Sequence, residues 1–258
     1  MQNSEGLTRF TRIVNIVTAL VVASILVITG LTLISPEPPP TRPKENDNLI
    51  RWGSVFHAYA LESPGGNWPS LRPDKSVWVP SLSLLVQEVA HDPELLISAA
   101  YPDPVEALKG VRKALQLPVI THRLLDEVMG ENYGYFGYAV HNLAQFEVLC
   151  AARASGELPK DGADPDRKLY KLRTGVEQLL FDDLPDPEAV TKAQSQIPVL
   201  IDIAAWCIKD ESATYSGTEV LFLDGHVEFV PLGVFPVVPQ VLDVMCGKVY
   251  LDQFASAR

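Results

Sequence analysis

Between Asp47 and Leu61 the apolar side chains Trp52, Val55, Phe56 and Tyr59 recur at three- and four-residue intervals, which predicts a helix with one buried face. Asp47 or Asn48 caps its start, and Pro64-Gly65-Gly66 ends it. Residues 64–80, with Pro64, Pro69, Pro73 and Pro80, read as loop. Ser81 or Ser83 opens a short helix through Val89. Asp92-Pro93-Glu94 and Asp103-Pro104 open two more, the latter through about Leu115, with proline at the first helical position and acids in the first turn. Residues 134–138, Gly-Tyr-Phe-Gly-Tyr, form a strand-like or loop segment. Ala139, Leu143, Phe146 and Cys150 then predict a helix that stops at Gly156, and Leu169, Leu172, Val176 and Leu179 predict another. Asp186-Pro187-Glu188 begins a short helix, and Val199 to Ile203 is a strand with Pro198 confined to its first position. The strongest local signal is 219–230, two β-rich runs around Asp224-Gly225. That dipeptide predicts a type I′ hairpin with Val220, Phe222, Val227 and Phe229 on the face packed on a helix, and Leu221, Leu223, His226 and Glu228 on the other. The pattern is therefore α+β: an N-terminal helix, a helical middle and a C-terminal antiparallel sheet.

Ahead of this lies a different pattern. Residues 13–35 are 23 positions without a charge, enough at about 1.5 Å per residue to cross a hydrocarbon core of roughly 30 Å. The run is long for a signal-peptide core and no Ala-x-Ala site closes it, so a retained transmembrane helix is expected. Arg9 and Arg12 before it place residues 1–12 in the cytoplasm and residues 47–258 outside, in the periplasm or beyond the cell, as an exported domain of a single-pass inner-membrane protein. Pro36, Pro38, Pro39, Pro40 and Pro43 make residues 36–46 an extended spacer.

Charge and chemistry narrow the function. Lys and Arg total 21 against 32 Asp and Glu, a formal net charge of −11, which repels phosphate backbones and argues against nucleic acid as a partner. Cys150, Cys207 and Cys246 lack C-x-x-C spacing; one disulfide is compatible with them, but their apolar contexts favour buried free thiols. No two of the five histidines are four apart, and the metalloprotease, nucleophile-elbow and phosphate-loop patterns are missing. Asp161, Asp164 and Asp166 form an acidic loop that offers oxygens to calcium, but without EF-hand spacing, so a solvated loop is the preferred reading and no cofactor is expected. No nucleophile, base and orienting group come together, and the residues read as those of a non-enzyme.

The membrane run, the segment Asn48-Leu49-Ile50-Arg51-Trp52-Gly53 continuing to Tyr59, and Leu221-Phe222-Leu223-Asp224-Gly225-His226-Val227 together resemble type IV pilin-like proteins. More narrowly the chain resembles the prepilin-type domain named for a histidine, nine residues and Asp-Gly, a group related to the major pseudopilin of type II secretion. In that motif Asp224, Gly225 and the intervening-loop Gly217 match, while Thr214 stands where the histidine belongs; His226 follows the Asp-Gly pair. Gly6 and Leu7 are the candidate processing site, although Phe10 and Thr11 stand where the peptidase signature has an apolar run and a glutamate, so cleavage is expected to be weak or absent. The resemblance implies a pseudopilin-like fold and a structural or accessory role in a type II secretion or type IV pilus-like assembly, with the membrane and other pilin-like subunits as partners. The alternative is a membrane-tethered binding module that does not polymerise.

Overall fold

The computed structural model describes residues 47–75, 77–116, 122–159, 162–208 and 215–249, all within the unit Lys44–Arg258. Among them no helix is long and apolar enough to cross a membrane; residues 13–35, expected to do so, lie outside the described residues.

The architecture of the described unit is α+β. Helix α1 (Asp47–Glu62) is followed by short helical turns and α2 (Val86–His91), then α3 (Pro104–Leu115) and α4 (His122–Asn132), which leads directly into strand β1 (Tyr133–Tyr135). Strand β2 (Tyr138–Ala139), α5 (Leu143–Ser155), β3 (Ala163–Asp164), β4 (Leu169–Lys171), α6 (Glu177–Leu180) and α7 (Pro187–Gln194) come next. The chain ends in β5 (Pro198–Asp202), α8 (Ala204–Cys207), β6 (Gly217–Phe222), β7 (Val227–Pro231) and α9 (Pro239–Met245). The main sheet is antiparallel in the order β1-β5-β6-β7, and β2-β4-β3 form a small second sheet.

Several boundaries follow from side-chain caps. Asp103 accepts from Glu106 N–H, Asn142 from Gln145 N–H and Asp186 from Ala189 N–H, so the starts of α3, α5 and α7 satisfy one orphan amide each. Gly156, at φ 76°, closes α5. The expected α1 stripe is present: Trp52 and Phe56 are fully buried and Val55 and Tyr59 pack against the core. Phe56 stands 5.2 Å from Trp52, 5.6 Å from Trp68 and 5.3 Å from Tyr135 between ring centroids, which knits the helix to the loop after it and to the sheet.

Both faces of the main sheet are covered. Tyr135, Leu200 and Leu221 are paired across three strands on the α1 side, where a Cβ on Gly53 would stand 3.1 Å from Leu221 Cδ1. Gly134, Ile201 and Val220 line the opposite face under α9, and a Cβ on Gly134 would fall 2.3 Å from Met245 Sδ. Glycine thus lets a helix approach closely on each side.

Four expectations are corrected. Residues 169–179 do not form a helix. Leu169, Leu172 and Val176 are buried as that pattern requires, but Tyr170 and Lys171 pair with Ala139 and Tyr138, and Gly175 at φ 80° breaks the chain before the single turn of α6. Ala139 belongs to β2 rather than to α5. Cys207 and Cys246 are joined in a disulfide, which ties the end of α8 to the end of α9, while Cys150 is free and buried. Lastly, the hairpin is shifted by one residue. Its pairs are Leu221 with Val227 and Glu219 with Phe229, so Val227 and Phe229 lie on the Leu221 face and Phe229 is 41% exposed. The loop has three residues: Gly225 N–H donates to Phe222 O at 2.9 Å and Phe222 N–H to His226 O at 3.0 Å. Gly225 alone in this loop takes a positive φ, 88°. A two-residue type I′ turn would also force Asp224 into the left-handed region, and the longer loop avoids that strain.

Candidate functional site at the hairpin tip

The β6–β7 loop brings together the motif residues Asp224, Gly225 and His226 beside α1. Asp224 Oδ1 accepts from the His226 N–H at 3.1 Å and from His226 Nδ1 at 2.5 Å. Because a carboxylate can only accept, His226 donates from Nδ1 in this contact. Nε2 lies 3.7 Å from Glu228 Oε2, and the imidazole stacks on Phe222 with centroids 4.6 Å apart and planes 2° apart. On the other side, a Cβ on Gly225 would be 3.6 Å from His57 Cε1. His57 Nδ1 is itself 2.8 Å from Gly53 O, and its ring meets Trp68 edge-on at 5.0 Å.

This arrangement orients an imidazole between a carboxylate and an aromatic ring. The ring's polar partners among the described residues are two carboxylates and its own main chain. Among the described residues no three His, Cys, Asp or Glu side chains are grouped to hold a metal. Gly217, the other matched motif residue, starts β6, where a Cβ would stand 2.4 Å from Val230 O; its role there is close backbone approach. Thr214 lies outside the described residues, as do Gly6 and Leu7.

In the acidic loop, Asp164 is engaged by an arginine. Asp164 Oδ2 accepts from Arg167 Nε at 2.6 Å and its Oδ1 from the Arg167 N–H at 3.1 Å. Hydrogen bonding to Arg167 holds this carboxyl below its ordinary range. Asp166 is exposed, and Asp161 lies outside the described residues. An arginine therefore already neutralises the central member of the trio.

Two features escaped the sequence. One is a groove of about 490 Å³ between the C-terminal half of α1 and the start of α2, lined by Tyr59, Glu62, Ser83, Gln87 and Glu88 among others. These residues come from segments far apart in the chain, and nothing in their local pattern links them. The other is Arg153, 2% exposed, whose Nη2 donates to Arg72 O at 3.2 Å, Asp74 O at 2.5 Å and Val77 O at 2.6 Å while the guanidinium lies 4.3 Å over Trp78. Burial pulls its pKa down to about 10. It fastens the loop after α1 to the end of α5, a structural role.

The chain matches no protein-family model, no curated protein and no solved structure.

Proposed function

We propose that this protein is a membrane-anchored structural or accessory subunit of a secretion or pilus-like assembly, with the α+β unit held outside the cytoplasm. The observation that carries the reading is the packing of α1 across the main antiparallel sheet, with Gly53 against Leu221. That helix-on-sheet unit follows directly on a charge-free run and a proline-rich spacer in the sequence. The disulfide between Cys207 and Cys246 agrees with an oxidising compartment. The hairpin residues carried by the resemblance are accounted for by architecture: Gly217 and Gly225 by backbone geometry, Asp224 by closing the loop.

The tethered binding module has one observation in its favour, the polar groove beside α1. The two readings separate in the native membrane. Photo-crosslinkers at the exposed Ile50 and Leu61 of α1 should capture other pilin-like subunits or further copies in the assembly. A chain that yields only monomer, with Met1 retained in its intact mass, would exclude the assembly role and leave the tethered module. A C-terminal reporter should be active only outside the cytoplasm; activity of a cytoplasm-dependent reporter there would remove both.

A further inference from the structure

The two edges of the main sheet are treated differently. At the β1 edge, Tyr135 N–H donates to Trp78 O at 2.6 Å, so the preceding loop covers that strand. At the β7 edge the inward positions are fixed by Phe222 N–H to His226 O and Leu232 N–H to Ser216 O, at 3.0 Å and 2.9 Å. In an antiparallel ladder hydrogen-bonding direction alternates, so His226, Glu228, Val230 and Leu232 turn inward and Val227, Phe229 and Pro231 outward. Among the described residues no backbone group bonds to the N–H or C=O of Val227 or of Phe229 on that side. The edge thus presents an alternating row of donors and acceptors beside a 41%-exposed Phe229.

We propose that the open edge of β7 takes up an extended, basic segment of a partner protein by strand addition. Main-chain complementarity supplies the binding, as in other β-augmentation. Charge selects the partner: the Glu228 side chain is 64% exposed on this edge, and the chain carries a net −11. A lysine or arginine opposite Glu228, flanked by apolar residues beside Val227 and Phe229, matches both faces of the strand. A second copy matches poorly. Two-fold pairing centred on Glu228 sets like charges opposite each other. Pairing centred on Phe229 places Pro231, which has no N–H, opposite the carbonyl of Val227.

The test uses the full-length chain and three short synthetic peptides: one alternating valine and lysine, its glutamate counterpart, and the lysine peptide N-methylated at alternate amides. Hydrogen exchange in the free chain should find the Val227 and Phe229 amides fast and those of Glu228 and Val230 slow. The lysine peptide should bind and protect the two fast amides. N-methylation keeps the charge and removes about two hydrogen bonds, so affinity should fall roughly 30-fold. Glu228→Lys, at an exposed position that leaves the fold intact, should weaken the lysine peptide about fivefold and strengthen the glutamate peptide. Equal binding of the methylated peptide, no protection of Val227 and Phe229, or no binding at all would overturn the proposal. So would a β7-mediated dimer in sedimentation without peptide.

Discussion

Replacing Gly217 by alanine is the substitution whose cost the structure defines best. An added Cβ would meet Val230 O at 2.4 Å, Pro231 Cα at 2.8 Å and Phe229 Cζ at 2.9 Å, and two of these are backbone atoms that no rotamer change can move. Gly217 also has φ 149°, where a side chain is strained by about 1–3 kcal/mol. To clear the contact, the start of β6 must separate from the end of β7, where Ser216 O accepts from Leu232 N–H and Thr218 pairs with Val230. Losing about two such backbone bonds adds roughly 1 kcal/mol each. The sum is about 3–5 kcal/mol, or roughly 6–20 °C in Tm for a domain of this size. Denaturant unfolding of the chain, followed by circular dichroism, measures it. Gly110→Ala is the internal control: it lies in α3 with nothing within 4 Å of its Cβ, and should stabilise by about 0.5–1 kcal/mol. A Gly217→Ala chain within about 0.5 kcal/mol of the parent would show that β6 and β7 do not approach this closely at Gly217.

Other outcomes follow from the same geometry. Cys207 and Cys246 are 39 residues apart, so replacing both by serine should cost about 4 kcal/mol by loop-closure entropy, read as the difference between oxidised and mutant unfolding curves; no difference would mean the bond is not formed. Gly225→Val should destabilise clearly, by about 1–3 kcal/mol, because φ is 88° there, whereas His226→Ala should cost under about 1 kcal/mol. The reverse order in thermal melts would reopen a ligand role for His226. Burial lowers the pKa of His141 below its ordinary value of 6.5, so the unfolded chain binds the proton more readily. Stability should then be lost as pH falls through 6.5 towards the folded value, and His141→Asn should flatten that part of the pH profile. An unchanged slope would show that His141 is not the titrating group.

What the chain wrote locally it wrote clearly. The caps Asp103 and Asp186, the prolines behind them and Gly156 are signals read within one turn of backbone, and they set helix boundaries where expected, whereas Asn142 starts α5 three residues later than the apolar stripe predicted. The spacing of Trp52 and Phe56 marked the buried side of α1, and the need for glycine at position 225 followed from the turn dipeptide. Tertiary structure decided what local pattern leaves degenerate. Leu169, Leu172 and Val176 satisfy helical spacing, yet pairing of Tyr170 with Ala139 made the first part a strand. Asp224-Gly225 fits a two-residue or a three-residue loop. A shift of one residue moves every β7 side chain to the other face, so the choice rests on strain at Asp224 and on what α1 and α9 offer each side of the sheet. The pairing of Cys207 with Cys246, the groove between α1 and α2, and the open edge of β7 depend on residues distant in sequence. No periodicity encodes them, because they arise only once the strands have been ordered and the helices laid on both faces.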